Sequence, residues 1–335
     1  MTVVKHVDLE VYQQNLRTIN DVVKPARVMA VVKADAYGHG LIECAKAAER
    51  TGIDILGVLD VETGLKLRKA GIEAPAFAWL HSPNTNFALA VRAGIELSVA
   101  SIPELDAIAA VPGAAKVHLK IDTGLSRNGC RPENWIELVT RAIALEKIGE
   151  IEFVAVWSHL AGASKADDLA SIEVFETAVA GARSLGFTGY LHIASSPAAF
   201  SIPESRYDLV RIGVSAFGTS PIEGVEAKTL GLFSPMTLRA EIIQPGIISI
   251  GFLHGFFSSL EGKASVLVNG KKFRVLKVGP LASAIEPGDY EVGDSVTVFG
   301  DELEAASAEE ICELAGTVTD ELFTGLKVNS TIHSV

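Results

Sequence analysis

Short apolar runs alternate with helical segments from about residue 27 to residue 225. Eight runs are continuously apolar or nearly so: RVMAVVK (27–33), ILGVL (55–59), PAFAWL (75–80), IELSV (95–99), KVHLKI (116–121), EFVAVW (152–157), YLHIA (190–194) and LVRIG (209–213). Such runs are typical of parallel strands that are covered on both faces. The intervening segments have helical spacing and often end in a glycine suited to a helix C-cap. Eight strand–helix units predict a (β/α)8 barrel, favoured over an open doubly wound sheet because no early GxGxxG occurs.

The pattern changes after residue 225. Three β-branched segments separated by turn residues follow: MTLRAEIIQPGIISIGF, SVLVNGKKFRVLKV and DSVTVFG. The second contains Asn269–Gly270, a strong hairpin signal, and a short helix is predicted at 307–316. This part is therefore predicted to be a mainly antiparallel β domain.

These patterns predict two domains. The barrel is placed at residues 9–225 and the β domain at 226–335, with residues 1–8 packing against the β domain. A length of 335 residues fits one large domain and a smaller one.

Composition narrows the class of partner. The 29 Lys and Arg residues stand against 41 Asp and Glu, so the formal net charge is −12. This balance argues against a nucleic acid or an anionic membrane as the main partner, because both need a cationic face. No apolar stretch reaches the roughly 20 residues of a membrane span, and the first residues do not resemble a signal peptide. The three cysteines form no metal-binding pattern, so we predict no metal site and a cytoplasmic location.

Candidate chemistry lies where barrel strands end. Lys33 ends the first apolar run, and partial desolvation of its amine would lower its pKa and suit Schiff-base chemistry. The alternative is a lysine that merely ends a strand with its ammonium in water. Tyr37 could place a hydroxyl near a ligand phosphate, and the glycines at 38 and 40 permit a tight backbone path.

Further candidates follow later strands. The stretch from Arg211 to Gly213 lies where barrels often bind phosphate, and Arg127 could clamp a carboxylate. Each also has an ordinary structural reading, as a strand end or a surface ion-pair residue. His159 and His192 could equally be barrel histidines without a catalytic role.

Taken together, these motifs resemble one known family. AVVKADAYGHG (30–40) resembles the signature of the alanine racemases, which are pyridoxal 5'-phosphate enzymes built from a barrel and a β domain. Weaker matches follow in the family's order: HLKIDTGLSRNG (118–129), SHLA (158–161), HIASS (192–196), VRIGVSAFG (210–218) and GDSVTVFG (293–300). The resemblance covers essentially the whole chain.

The resemblance implies a set of cofactor ligands. Lys33 would form the Schiff base with pyridoxal 5'-phosphate and act as one of two catalytic bases. The cofactor phosphate would be held by Tyr37, Ser196, Gly213 and Val214.

It also implies roles for four further side chains. Arg211 would face the pyridine nitrogen and keep it unprotonated, supported by His159. Arg127 would contact the phenolic oxygen and orient the substrate. Lys120 matches a lysine that is carbamylated in many members and orients that arginine. Proton removal and return on opposite faces of Cα would then invert the substrate.

One departure affects the chemistry directly. The family's second base is a tyrosine in a Gly-Tyr-Ala-Asp-Gly motif that reaches the partner subunit's site, and here the stretch reads GFLHG (251–255). Phe252 occupies the tyrosine's place, and a phenyl ring has no proton to exchange. His254 is the candidate replacement base, on the same face as Phe252 if the backbone is extended. Tyr290 or a bound water are the alternatives.

Two other family positions differ. A Met-Asp pair near the substrate carboxylate falls on Leu281 and Ala282, and a C-terminal phosphate-binding tyrosine falls near Ser334. These differences lie in the β domain, whereas the barrel half of the site matches the family.

Three functions remain open at this stage. The first is a racemase of alanine or a similar small amino acid, which would supply the cell-wall precursor D-alanine. The second is a pyridoxal 5'-phosphate enzyme with proton chemistry on one face, of decarboxylase or aldolase type. The third is a non-catalytic racemase homologue that binds the cofactor. The resemblance implies a head-to-tail homodimer, because the family's site is completed by the partner's β domain. If the donated residues no longer matter, the dimer could persist for stability or be lost.

Overall fold

The structure is a computed structural model that describes residues 3–333, apart from the side chain of His333. The chain forms two compact units, described separately below. The barrel unit comprises Ile19–Lys33 and Ala48–Gly213, and the β unit comprises Met1–Thr18, Ala34–Ala47 and Val214–Val335. The domain boundaries at 9–225 and 226–335 stay a prediction.

The strands, in chain order, are β1 (Val4–Asp8), β2 (Arg27–Val31), β3 (Ile55–Val58), β4 (Ala76–Ala78), β5 (Ile95–Val99), β6 (Ala115–Lys120), β7 (Ile151–Trp157), β8 (Tyr190–His192), β9 (Leu209–Ile212), β10 (Met236–Gln244), β11 (Ile247–Ile248), β12 (Ser265–Val268), β13 (Lys271–Val278), β14 (Ser283–Ile285), β15 (Ser295–Phe299) and β16 (Asn329–His333). The helices are α1 (Leu9–Val23), α2 (Lys33–Gly38), α3 (Leu41–Arg50), α4 (Val61–Lys69), α5 (Phe87–Arg92), α6 (Ile102–Ala109), α7 (Pro132–Lys147), α8 (Lys165–Ser184), α9 (Ser196–Ser201), α10 (Ala308–Ala315) and α11 (Thr319–Gly325).

The barrel unit is a closed parallel barrel. Strands β2 to β8 pair in chain order, and β9 pairs with β2 so that Met29 lies opposite Arg211. Closure between β8 and β9 is made by the Arg211 N–H, which donates to the Ala194 carbonyl oxygen at 3.0 Å. All eight apolar runs are strands, so the predicted (β/α)8 barrel is confirmed. Since parallel strands end on one side, their carboxyl ends form a single mouth.

The β unit contains a sheet in the order β11-β14-β13-β12-β15-β10-β1-β16. Its pairings are antiparallel except for β1 with β16, which confirms a mainly antiparallel β domain. Asn269 and Gly270, with φ of 50° and 74°, form the turn between β12 and β13. The predicted helix is α10, which begins with a capping box of Ser307 and Glu310. Helix α11 follows it and was not predicted from the sequence.

Helix α2, directly after β2, contains a turn of left-handed helix. Four consecutive non-glycine residues, at 34–37, have φ between 50° and 57°. A left-handed conformation costs an L-residue about 1–2 kcal/mol. Two hydrogen bonds, one of them from a residue distant in sequence, offset part of this cost. The Asp35 carboxylate accepts from the Leu41 N–H at 2.8 Å, and the Lys5 ammonium donates to the Gly38 carbonyl oxygen at 2.5 Å.

The close approach at Gly38 gives a stability prediction. Gly38 has φ +76°, and a Cβ there would lie 2.4 Å from the Phe323 carbonyl oxygen. Gly52 also has φ +76° but has nothing within 4 Å of its added Cβ, so it is a matched control. We expect Gly52→Ala to lower the free energy of unfolding by about 1 kcal/mol, and Gly38→Ala by about 2–4 kcal/mol. Urea denaturation measures both, and equal losses would contradict the close approach.

Candidate active site

Positively charged side chains lie close together at the mouth of the barrel. Lys120 ends β6 and Arg211 lies in β9, while His159 follows β7 by two residues. Burial, followed by the charges of nearby cations, lowers the pKa of the His159 imidazole to about 2; the cations are Arg211, Arg127, Lys120 and Lys33. His159 is therefore neutral at physiological pH and lies within the field of four cations.

Arg211 is buried and makes four hydrogen bonds to neutral acceptors. Its Nη1 donates to His192 Nδ1 at 3.1 Å, and its Nη2 donates to His159 Nδ1 at 3.0 Å. The same Nη2 also donates to the carbonyl oxygens of Ser158 and Ile193, each at 2.9 Å. Burial, together with the charge of Arg127, lowers the pKa of Arg211 to about 9. Because a guanidinium only donates, both histidines present a bare Nδ1 to it.

Lys120 packs against the ring of Trp157. Its ammonium is 4.5 Å from the centroid of the Trp157 ring, and Arg211 lies over the same ring at 5.1 Å. Burial and the charges of Arg211 and Arg127 lower the pKa of Lys120 to about 8, although Asp122 acts in the opposite direction. A larger fraction of this amine is therefore unprotonated near neutral pH than for an ordinary lysine.

The loop after β6 carries Arg127. The Asp122 carboxylate accepts from the backbone N–H groups of Gly124 and Ser126, at 3.1 and 3.0 Å, and so shapes the loop. Arg127 itself is exposed. Within residues 3–333, Arg127, Lys120 and Arg211 make no ion pair with a carboxylate.

This donor set fits pyridoxal 5'-phosphate. A buried guanidinium and a buried ammonium without a carboxylate partner favour an anionic ligand, because uncompensated buried charge is costly. The cofactor carries a phosphate and a phenolic oxygen. Nearby, the Ser196 hydroxyl accepts from the Gly213 N–H at 3.1 Å, so two predicted phosphate ligands are brought together.

The other two predicted phosphate ligands lie in the β unit. Tyr37 is buried, with its ring centroid 5.4 Å from that of Phe217, and burial raises the pKa of its hydroxyl. Val214 begins a 3₁₀ turn that ends at Phe217. Their roles as ligands stay predictions.

The stretch that replaces the family's second base is not extended. Phe252–His254 is a 3₁₀ turn, so the expectation that Phe252 and His254 share a face on an extended backbone is wrong. Phe252 is 46% exposed, whereas His254 turns back and accepts the Gly251 N–H at Nδ1 at 3.1 Å. The role of His254 as a base stays a prediction. Tyr290, the alternative, donates its hydroxyl to the Glu286 carbonyl oxygen at 2.6 Å.

Of the two other departures from the family, the structure describes the first, at the methionine position, but not the second, at the C-terminal tyrosine. Leu281, at the family's methionine position, is 52% exposed. Ser334, near the family's C-terminal tyrosine, lies outside the described residues.

A buried polar chain inside the barrel was not predicted from the sequence. His192 was predicted only as a possible barrel histidine, and no role was predicted for Glu96 or His118. His118 Nδ1 lies 3.0 Å from His192 Nε2, and His118 Nε2 lies 2.8 Å from Glu96 Oε2. The available signal was the presence of charged or polar residues, Glu96 and His118 among them, inside the mainly apolar runs IELSV and KVHLKI.

No group of three or more His, Cys, Asp or Glu side chains in the part of the chain that the structure describes could hold a metal ion. None of the helices described there is long and apolar enough to cross a membrane.

Comparison with known proteins covers both parts of the chain. The family model "Alanine racemase, N-terminal domain" matches residues 7–221, and "Alanine racemase, C-terminal domain" matches residues 237–333. The alanine racemase of Beutenbergia cavernae is 33% identical over 356 residues, covering 96% of this chain and 94% of the relative. That of Mycolicibacterium smegmatis is 32% identical, covering 95% and 91%.

Solved structures agree with these matches. The alanine racemase of D-cycloserine-producing Streptomyces lavendulae superposes with a TM-score of 0.94 at 30% identity, covering 100% of this chain and 98% of that one. The alanine racemase of Streptomyces coelicolor A3(2) gives 0.93 at 29% identity, covering 99% and 97%. With both family models matched and relatives above 30% identity over nearly its full length, this chain belongs to the alanine racemase family.

Proposed function

We propose that this protein interconverts L- and D-alanine with pyridoxal 5'-phosphate as its cofactor. The observation that carries the proposal is the pair of buried cations Lys120 and Arg211, which form no ion pair with a carboxylate among residues 3–333, in a chain that matches an alanine racemase over 96% of its length. When bound, the cofactor withdraws electrons from the substrate Cα and so makes its proton more acidic.

Lys33 is the residue that we assign to covalent attachment and to proton transfer. It follows β2 by two residues, at the mouth of the barrel. Its amine would condense with the carbonyl group of the cofactor with loss of water, and, once the substrate amino group had displaced it, would hold the Cα proton on one face.

Arg211 and His159 are assigned to the cofactor ring. A guanidinium with a pKa of about 9 is protonated at neutral pH, so Arg211 would donate a hydrogen bond to the pyridine nitrogen of the bound cofactor and would keep its own proton. His159 supports Arg211 by accepting from its Nη2. Ser196 and Gly213, with Tyr37 and Val214, are assigned to the phosphate.

Arg127 is assigned to the phenolic oxygen and the substrate, and Lys120 to orienting Arg127. The pKa of about 8 supports carbamylation of Lys120, because only the unprotonated amine adds CO₂. The carbamate would place a negative charge near the Arg127 guanidinium.

A prediction tests this assignment. We expect Lys120→Met to lower kcat/KM for alanine about tenfold, because Arg127 loses an oriented ionic partner. Native mass spectrometry of the protein without this substitution would show a species heavier by one CO₂, and the Lys120→Met variant would lack that species. Lys69→Met, at an exposed position of α4, is the control. It is expected to keep both the kcat/KM and the species heavier by one CO₂. An unchanged kcat/KM in Lys120→Met would contradict the role.

We also propose a head-to-tail homodimer in the cytoplasm. Phe252, Leu253 and Leu281, in the β unit, are 46%, 54% and 52% exposed, and burial against a partner would remove this apolar surface from water. The three cysteines, at 44, 130 and 312, are free and buried, which suits a reducing compartment.

The test of function is incubation of the cofactor-loaded protein with L- or D-alanine in deuterated water. Proton NMR follows Cα exchange, and chiral chromatography follows inversion. Exchange with inversion from both enantiomers is the expected result. Exchange without inversion would support one-sided proton chemistry of decarboxylase or aldolase type, which the phenyl ring of Phe252 favours. No exchange with either enantiomer would overturn the proposal in favour of another amino-acid substrate or a non-catalytic homologue.

A further inference from the structure

Four buried side chains form a hydrogen-bonded chain across the barrel interior. Arg211 Nη1 lies 3.1 Å from His192 Nδ1, His192 Nε2 lies 3.0 Å from His118 Nδ1, and His118 Nε2 lies 2.8 Å from Glu96 Oε2. The two imidazoles are 0% exposed, Arg211 is 5% exposed and Glu96 is 7% exposed. These side chains come from four strands: β9, β8, β6 and β5.

The two ends of the chain require the same proton arrangement. Arg211 can only donate, so His192 accepts at Nδ1 and carries its proton on Nε2. That proton is donated to His118 Nδ1, so His118 carries its own proton on Nε2 and donates it to Glu96. An ionised carboxylate can only accept, and it therefore requires the same direction. Every member then donates toward Glu96.

Aromatic packing holds both imidazoles in place. The Phe77 ring is stacked on His118 with centroids 4.0 Å apart and 17° between the planes. The Trp157 ring is nearly parallel to His192, at 5.4 Å and 10°. Rotation of either imidazole ring would break a hydrogen bond and disrupt this stacking. The orientations of His118 and His192 are therefore sterically fixed.

The charges of the chain balance at its two ends. Burial lowers the pKa of both His118 and His192, which keeps the two imidazoles neutral. Burial raises the pKa of Glu96, but the hydrogen bonds from His118 and Tyr190 and the charge of Lys116 outweigh it and hold the pKa below its usual value. A carboxylate at one end thus faces the guanidinium at the other through two polarisable rings.

We propose that Glu96, His118 and His192 are positioning residues for Arg211, with Glu96 as the terminal acceptor that holds the guanidinium in place through the two imidazoles. The hydrogen bond to His192 fixes which N–H group of Arg211 points into the barrel interior. The guanidinium is thereby held in one orientation toward the mouth of the barrel. The inference rests on the proposed function only for what Arg211 does at the cofactor, since the chain itself lies within the barrel.

The first test reads the proton positions without cofactor or substrate. In protein labelled with ¹⁵N in the histidine rings, nitrogen chemical shifts separate protonated from bare ring nitrogens. We expect His118 and His192 to be protonated at Nε2 and bare at Nδ1, with signals assigned by their loss in His118→Asn and His192→Asn. A proton on Nδ1 of either histidine would overturn the proposal, whether or not the protein racemises alanine.

The second test removes the terminal acceptor. In Glu96→Leu we expect solvent exchange of the His118 Nε2 proton to accelerate about tenfold or more, because a buried charged hydrogen bond is lost. The resonance of the His192 Nε2 proton shifts as well, although His192 does not touch Glu96. Glu96→Gln keeps the shape and gives a smaller shift of the same sign, which preserves the test if the leucine variant does not fold.

The control removes the other charged neighbour of Glu96. Lys116 Nζ lies 3.9 Å from Glu96 Oε1 and its side chain is half exposed, so Lys116→Met is expected to leave both histidine resonances in place. If His192 is unchanged in both Glu96 variants, Glu96 is only a local partner of His118 and the proposal is overturned. If Lys116→Met moves His192 as far as Glu96→Gln does, the proposal is overturned too, since general electrostatics explains the effect.

Discussion

Lys33→Ala is expected to lower the rate of alanine racemisation by at least about 10⁴-fold. The variant loses both the amine that bonds the cofactor and the group that holds the Cα proton on one face. It is also expected to lose the visible-edge absorbance of the lysine-bound cofactor. Because the Lys33 side chain is only half-buried at the end of β2, the fold is retained, as circular dichroism and the urea midpoint would show.

The matched control is Lys69→Ala, which removes an exposed lysine from α4. It is expected to keep both the absorbance and the activity. Borohydride reduction of the loaded protein, followed by peptide mapping, locates the attached cofactor on Lys33. Retention of the absorbance in Lys33→Ala, or attachment to another lysine, would remove Lys33 from the mechanism.

Phe252→Tyr is expected to raise racemisation by about 10²–10⁴-fold if a phenol restores the missing base. Phe252 is 46% exposed within its own chain and lies in a 3₁₀ turn, so an added hydroxyl displaces no packed neighbour of that chain and has little effect on the stability of its fold. Initial rates from L-alanine and from D-alanine measure the gain. In the reaction direction in which the introduced tyrosine returns the proton to Cα, the solvent isotope effect on the rate should change.

Leu253→Tyr adds the same phenol one residue further along the turn and is the control for Phe252→Tyr. It is expected to give no gain. An equal gain from both variants, or none from Phe252→Tyr, would contradict the alignment of GFLHG with the family motif. His254→Ala separates the alternatives, since a loss of activity with the cofactor still bound would identify His254 as the present base.

The barrel was predictable because its signal is local. Strands covered on both faces need continuous apolar runs, and the eight runs therefore marked the eight strands without any knowledge of their partners. The place of Lys33 followed directly, since a residue that ends such a run lies at the mouth. The β domain was similarly predictable from β-branched segments and the turn at Asn269–Gly270.

The geometry of the 252–254 stretch and of residues 34–37 was not predictable in this way. A 3₁₀ turn at 252–254 replaces the extended backbone on which the pairing of Phe252 with His254 was based. Left-handed conformations at residues 34–37 run against the preference of every non-glycine residue. In both cases, contacts with distant parts of the chain override local preference, and no local pattern records them.

By itself, the sequence determined the eight-stranded barrel, the β domain and the strand ends that carry Lys33, Lys120 and Arg211. Only the tertiary structure decided that Arg211 donates to His192 and that His192 leads through His118 to Glu96. His118 lies 74 residues from His192 and 22 from Glu96 along the chain. Hydrophobic periodicity reports which face of a strand is buried, whereas a hydrogen bond across a barrel depends on strand register and closure, which are set only when all eight strands pair.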